Sequence, residues 1–383
     1  QFRPLLSTLP MARLPTLRVS GRAELLCRQL NEEYSTEALL VFAPENIRWL
    51  IGFTGSTGTL VVCPQEMVLV TDGRYVEQAQ AQAKSSAIEI EIREAGTATE
   101  HLEVLASVLS TESTCGFDPS EVTVENFEIY QRTFSCKLIP VTGLVKQLRR
   151  IKSEAEVSRI ELAALAADRA LSDVESMLAD GVTERDIRDE LEYLMRRHGA
   201  DGPSYETIVA TGSNSSKPHH RPVSERIVRG DSVVIDVGAL VEGYHSDMTR
   251  TYLIGEVSPE LAKIHRVVCE AQQLGLAKVA PGVLCSDIDQ ACRGYITDQG
   301  YGPEFVHGTG HGVGLQIHEL PWIRKDFREP LQVGEVVTVE PGVYRRGLGG
   351  VRIEDLVLVT PTGHRILTQS QKDHLCLQSP RTT

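Results

Sequence analysis

Four carboxylates and three imidazoles stand out in this 383-residue chain, because their types and spacing suit the binding of cations. Asp236 and Asp247 lie on either side of Glu242-Gly243, and Glu340 and Glu354 on either side of Gly347, Gly349 and Gly350. The first of each pair interrupts an apolar run, Val234-Ile235-Asp236-Val237 and Thr338-Val339-Glu340-Pro341. If the first turn centres near Val241-Glu242, Asp236 and Asp247 stand directly opposite each other on one face of a hairpin. Gly347 is the midpoint of Glu340 and Glu354, so these two can face each other as well. One carboxylate in a strand is most simply a hydrogen-bonded or edge residue. Four at mirror positions in two hairpins are harder to explain that way. Like charges packed so closely must take up protons unless divalent cations neutralise them.

The remaining candidate ligands are His307, His311 and His318, spaced by four and seven residues around alternating glycines. A single histidine here could be structural; three at these spacings are less easily dismissed. The glycines resemble a phosphate loop only superficially, since no GxxxxGK[ST] occurs and no acidic residue is placed to bind a ribose. An oxygen-rich set with one imidazole suits Mn²⁺ or a similar divalent ion better than a purely structural zinc site. Carboxylates that bridge two ions would hold a water and deprotonate it near neutral pH. The chemistry this implies is metal-assisted hydrolysis.

These groups need elements to hold them. Residues 154–179 carry Val157, Ile160, Ala164, Leu171, Val174 and Leu178 on one helical stripe, ended by Gly181. Thr183 and Asp186 form a capping-box pattern for a second helix over 184–198. Strand-like runs follow at 232–239 and 248–254. Ser258-Pro259 opens a third helix to 279, and a fourth runs from Ser286 to Gly300. Strands are then expected at Val336–Val339 and 351–359. The order helix, helix, hairpin thus occurs twice, which predicts both hairpins in one antiparallel sheet with helices outside. The first 150 residues read as mixed α/β, with a helix over 21–33 and a buried strand over 38–42. A hairpin joins 59–63 to 67–71 through Pro64-Gln65-Glu66, and 87–93 alternates as a half-buried strand. Gly55-Ser56-Thr57-Gly58 reads as a turn, because Thr54 breaks the G-x-S-x-G pattern.

Composition narrows the field. A net charge of −13 and the absence of a basic face argue against nucleic acid. No apolar run reaches the roughly 18–20 residues of a membrane span, so a soluble protein is expected. Eight cysteines without CxxC pairs read as reduced thiols in a cytoplasmic protein. Residues 1–10 precede the first methionine, Met11, and read as tag or upstream sequence.

Residues from about 150 to 370 resemble the pita-bread metallopeptidases, the superfamily of methionine aminopeptidase, aminopeptidase P and prolidase. The matching stretches are LRRIKSEAEV, TIVATGSNSSKPHH, VVIDVGA, YHSDMTRTY, HGTGHGVGLQIHE, VEPGVY and VRIEDLVLV. NIRWLIGFTGSTG and TDGRY resemble the N-terminal domain of the Xaa-Pro branch, aminopeptidase P and prolidase. The resemblance implies an α+β protein, with a C-terminal pita-bread fold of pseudo-duplicated helix-helix-hairpin halves and a smaller α/β creatinase-like N-terminal domain. Its boundaries would be a tag or flexible N-terminus over 1–20, domains over 21–148 and 149–375, and a tail over 376–383.

By the same resemblance, the metal ligands are Asp236, Asp247, His311, Glu340 and Glu354. Asp236 would serve one ion, His311 and Glu340 the other, and Asp247 and Glu354 both. The cofactor would be two divalent ions, Mn²⁺ in preference to Zn²⁺ or Co²⁺. Glu340 would also take the proton of the bridging hydroxide. His219 matches the histidine that stabilises the tetrahedral intermediate or leaving nitrogen, favoured over His220 because it directly follows Pro218. His318 matches a histidine that contacts substrate, and His307 one that lines the proline pocket. Tyr344 and Arg352 match residues that hydrogen-bond around the ligands. Arg324 is a candidate for a dipeptide's carboxylate, while His245 reads as structural or solvent-facing. The implied activity is exopeptidase cleavage between an N-terminal residue and proline, on small peptides, by a homodimer. The alternatives are a methionine-aminopeptidase-like enzyme, a metal-free creatinase-like hydrolase and a non-catalytic binding module. The complete set of five ligands argues against the last two.

Overall fold

The computed structural model describes residues 14–372. Residues 1–13 and 373–383, with most of the expected N-terminal extension, the expected tail and Cys376, lie outside the described residues. The chain divides into two units, residues 16–149 and residues 150 onward, the latter joined by Leu14 and Pro15.

The N-terminal unit is built on a six-stranded sheet. Its spatial order is Glu91–Glu94, Met67–Thr71, Thr59–Val62, Ala38–Val41, Thr114–Phe117 and Lys137–Pro140. Ala38–Val41 and Thr59–Val62 are buried at every position, as continuous apolar runs in central strands require. The expected hairpin forms, with Cys63 N donating to Glu66 O at 2.9 Å. The expected strand over 87–93 is shorter and later, at Glu91–Glu94. Helix Val76–Ser86 ends on Ala87 in the left-handed region, φ 52°, so residues 88–90 only lead into the edge strand.

The second unit repeats a helix pair and a hairpin. Helix Glu154–Val174 carries a capping box between Ser153 and Glu156, and helix Glu184–Arg197 carries one between Thr183 and Asp186. Helix Pro259–Lys278 is capped by Ser258, and helix Cys285–Asp298 completes the second pair. The first helix is shorter than expected, because a 3₁₀ turn at Glu175–Met177 follows Val174. Two hydrophobic cores result. One gathers Ala167, Leu171, Ile187 and Leu191 against Val233 and Ile235, the other Ile264, Val268 and Ile288 against Val337, Val339 and Val357. Each half buries its own amphipathic helices on its own strands. No helix among the described residues is long and apolar enough to cross a membrane.

The expectation of one antiparallel sheet is corrected. Ser232–Asp236 lies between Thr249–Leu253 and Ile208–Thr211, whereas Ala239–Val241 pairs with Tyr244–His245 in a separate sheet. Val336–Val339 and Asp355–Thr360 belong to a five-stranded sheet, and Gly342–Arg345 with Gly349–Arg352 form a two-stranded one. The ladders break where the acidic residues sit. Pro341 has no N–H to donate, so the ladder is interrupted there, with Pro341 O still accepting from Ile353 N at 3.4 Å.

Register shows what those breaks do. In the first hairpin Val241 faces Tyr244 across Glu242-Gly243, both at positive φ (43° and 73°). That turn centre is later than expected. Asp236 therefore faces Thr249, not Asp247, which lies diagonally across on the same side. In the second hairpin Val339 faces Asp355 and Gly342 faces Arg352, so one register spans the break. Glu340 and Glu354 sit inside it, level with each other as expected.

Candidate metal centre

The glycines around His311 give its backbone room. Gly310 and Gly312 open and close the short strand that carries it. A Cβ at Gly310 would sit 2.0 Å from Thr338 O, and one at Gly312 would sit 2.2 Å from Leu320 O. Only glycine allows this approach, which brings His311 between the neighbouring strands. Its Nε2 lies 3.5 Å from Asp247 Oδ2 and 3.4 Å from Glu340 Oε1. Asp247, His311 and Glu354, all buried, each offer a ligand atom, and these atoms lie within 4.8 Å of one another.

These groups oppose lone pairs to lone pairs. His311 Nδ1 is 3.0 Å from Gly312 O, and a carbonyl can only accept. That nitrogen therefore carries the ring proton, leaving Nε2 as an acceptor aimed at two carboxyl groups. Burial, then the neighbouring His318, depress His311 to about 3, so the ring is neutral. Tyr205 Oη contacts Asp236 Oδ1 and lies 2.5 Å from Asp247 Oδ1, yet one hydroxyl has one proton to give. Glu354 Oε2 accepts from Thr249 Oγ1 at 2.7 Å, while the buried Oε1 has no hydrogen-bond partner. An orphaned carboxylate oxygen beside a lone-pair nitrogen and a second carboxylate is the donor set of a divalent cation. The residues fit one.

Burial, more than any neighbour, raises the carboxyl groups in the absence of a cation. Asp247 is pushed well up by burial and by Asp236 and Glu340, and Glu354 by burial and then Asp247. Glu340 moves from 4.5 to about 7 by burial, opposed by Arg352. A carboxyl raised in the folded state contributes stability below its unfolded value and loses it as pH rises through the folded one. The metal-free protein should therefore lose stability as pH rises from about 4.5, the unperturbed value, through about 7 and above. Melting of the chelated protein at pH 5.5 and 8, with and without added Mn²⁺, checks this. The destabilisation at pH 8 should vanish with the metal, and a metal-independent difference would refute the assignment.

The other expected site residues surround the same cavity, of about 590 Å³. Asp236, His219, His307, His318, Arg324 and Arg352 line it together with the groups above. Tyr344 is buried just behind the wall and links two of them. It donates to His307 Nε2 at 2.8 Å and accepts from Arg352 Nη1 at 2.8 Å. Arg352 Nη2 in turn donates to Asp236 Oδ2 at 2.6 Å, and its Nε to Thr249 Oγ1 at 3.0 Å. His307 Nδ1 donates to Gly308 O, which fixes its tautomer, and burial followed by the Arg352 charge holds it near 4. His318 stands edge-to-face with His311, ring centres 4.4 Å apart.

His219 is exposed at the cavity, whereas its neighbour His220 is buried with Nε2 2.7 Å from Glu184 Oε2. Glu184 is itself fully buried and also accepts from Thr211 N, Asn214 Nδ2 and Val223 N. That carboxylate anchors the 211–223 segment and leaves His219 to face the cavity. Arg324 is at the rim, half exposed, 3.0 Å from Asp326 Oδ1. His245 is half-buried, 2.7 Å from Ser204 Oγ. Sequence reasoning missed Tyr205, Glu184 and Thr249. Their partners lie far along the chain, and no local spacing marks them.

A cavity of converging acceptors that fit a divalent cation suits a metal-dependent enzyme, and comparison with known proteins points the same way. Residues 158–361 match metallopeptidase family M24, and residues 25–151 match the creatinase/prolidase N-terminal domain. A Bacillus subtilis protein, the uncharacterised peptidase YqhT, is 38% identical over 91% of this chain and 98% of its own length. The solved Xaa-Pro dipeptidase from Bacillus anthracis has a TM-score of 0.89 at 35% identity, covering 93% of this chain and 99% of that one. The X-Pro aminopeptidase from Thermotoga maritima has a TM-score of 0.84 at 34% identity, covering 93% and 99%. The chain belongs to metallopeptidase family M24, with a creatinase-type N-terminal domain before a pita-bread catalytic domain, and is a hydrolase.

Proposed function

We propose that this protein is a dinuclear metal-dependent exopeptidase that cleaves the bond between an N-terminal residue and proline. The observation that carries the reading is the convergence of Asp247, His311 and Glu354 around an unpartnered, buried carboxylate oxygen. The relatives add the substrate class, since similar proteins are described as an Xaa-Pro dipeptidase and an X-Pro aminopeptidase.

Asp236, Asp247, His311, Glu340 and Glu354 would hold two divalent ions, with Mn²⁺ favoured by the predominance of oxygen donors. Such ions supply Lewis acidity, which polarises a carbonyl and brings the pKa of a coordinated water down to about 7. Arg352 and Tyr205 hold Asp236 in place from two sides, so the ligand cannot turn away. Glu340 accepts the proton of the attacking water and delivers it to the proline nitrogen as the C–N bond breaks. His219 donates a hydrogen bond to the developing oxyanion or the leaving nitrogen. His307, neutral and held by Tyr344, offers its ring as an apolar wall beside Phe305, ring centres 5.2 Å apart. A pyrrolidine fits such a wall. His318 contacts the substrate backbone from the opposite loop.

Proline specificity has a physical basis. An Xaa-Pro amide lacks the N–H that many peptidases grip, and its φ is fixed. Carbonyl polarisation with a ring pocket needs neither. Arg324 at the rim is the candidate partner for the carboxylate of a dipeptide. The seven cysteines among the described residues are all free thiols, which suits a cytoplasmic enzyme.

The test is hydrolysis of an Xaa-Pro dipeptide and an Xaa-Pro-Xaa tripeptide, each after chelation and again with Mn²⁺. Metal-dependent cleavage of the dipeptide alone would identify a dipeptidase, and cleavage of the tripeptide an aminopeptidase. Failure to cleave either with metal bound would overturn the proline assignment and make methionyl peptides the next substrates.

A further inference from the structure

The LRRIKSEAEV stretch plays no part in the chemistry above, yet the charged side chains of Arg150 and Lys152 are deeply buried. Arg150 Nε donates to Glu335 Oε1 at 2.7 Å, and Nη1 reaches Glu329. The Lys152 amide donates to Gly334 O at 2.9 Å. With its backbone moored in this way, Lys152 extends a side chain that is 1% exposed to a partner that is 5% exposed. Its Nζ donates to Glu319 Oε1 at 2.7 Å.

Glu319 directly follows His318 and lies at the base of the turn formed by residues 313–318. Gln316 N donates to Glu319 Oε2 at 3.4 Å, and a Cβ at Gly314 would sit only 2.4 Å from Glu319 Oε1. The turn is thus wrapped around that carboxylate. It is tied on its outer side by His245 N, which donates to Gly314 O at 2.9 Å.

We propose that Lys152 is a positioning residue: by holding the Glu319 carboxylate at the base of the 313–318 turn, it fixes His318 against the substrate cavity. A buried carboxylate deprived of its counter-ion seeks water or a proton, and either response loosens the turn built around it. His318 moves with the turn. The inference rests on the reading that His318 contacts substrate.

The experiment compares full-length, metal-loaded Lys152→Met, Glu319→Gln and the double variant. Each single change should lower kcat/KM about 100-fold, chiefly through KM, because the loss is one of substrate positioning. The double variant should be no worse than either single one, since both break one pair. Bound metal per chain should stay at the wild-type level, and amide hydrogen exchange across 313–319 should quicken in both single variants. Additive losses, a loss confined to kcat, or unchanged exchange across 313–319 would overturn the proposal. If Lys152→Met does not fold, Glu319→Gln carries the same comparison. If the wild-type enzyme cleaves no Xaa-Pro peptide, the functional reading fails, while the exchange experiment still decides whether Lys152 holds the turn.

Discussion

Replacing Glu354 with Gln should lower peptidase turnover by about four orders of magnitude and strip the protein of tightly bound divalent metal. The side chain is 1% exposed, with one oxygen held by Thr249 and the other without a partner. Glutamine keeps the shape and removes the charge, so packing survives while cation binding does not. The same substitution has a second consequence of opposite sign. It removes one of the carboxyl groups whose burial, and then mutual repulsion, burdens the metal-free state, so chelated Glu354→Gln should melt higher than chelated wild type at pH 8. Elemental analysis, turnover and melting together check the assignment. Wild-type metal content in the variant would refute Glu354 as a ligand, and Asp247→Asn provides an independent repetition at the other proposed bridging position.

Replacing His219 with Ala should lower kcat by about 10²–10³-fold and leave the metal content at the wild-type level. His219 is exposed at the cavity, whereas His220 is committed to the buried Glu184. The adjacent histidines should therefore behave differently. His220→Ala leaves Glu184 short of a partner and should cost about 1–3 kcal/mol of stability, with a smaller effect on turnover once the protein is folded. Titration of bound metal and steady-state kinetics on both variants separate the two roles. Loss of metal from His219→Ala would turn a hydrogen-bond donor into a ligand.

Much of the molecule was legible along the chain, for local reasons. The capping box at Thr183 and the Ser258-Pro259 start depend on residues a few positions apart, and both helices begin there. Continuous apolar runs mark the central strands of the N-terminal sheet, because both faces of those strands are covered. Ladder breaks are less visible. The first hairpin turns at Glu242-Gly243, so Asp236 faces Thr249 while Asp247 reaches the same side on the diagonal. A strand's two-residue period preserves the face even when the partner changes, which is why the pairing of chemistry survived a misplaced turn.

By itself, the sequence determined which side chains could carry chemistry: acids and imidazoles set in apolar strands and glycine-rich turns, where only a cation or a strong donor makes them affordable. Only the tertiary structure decided what holds them. Tyr205 touches Asp236 and Asp247, Arg352 reaches Asp236, Glu184 secures the segment of His219, and Lys152 secures that of His318. The residue types at ligand positions are dictated locally by their donors and charge. Their partners come from segments as far as 116 residues apart, joined by strand register and core packing that no short window of sequence encodes.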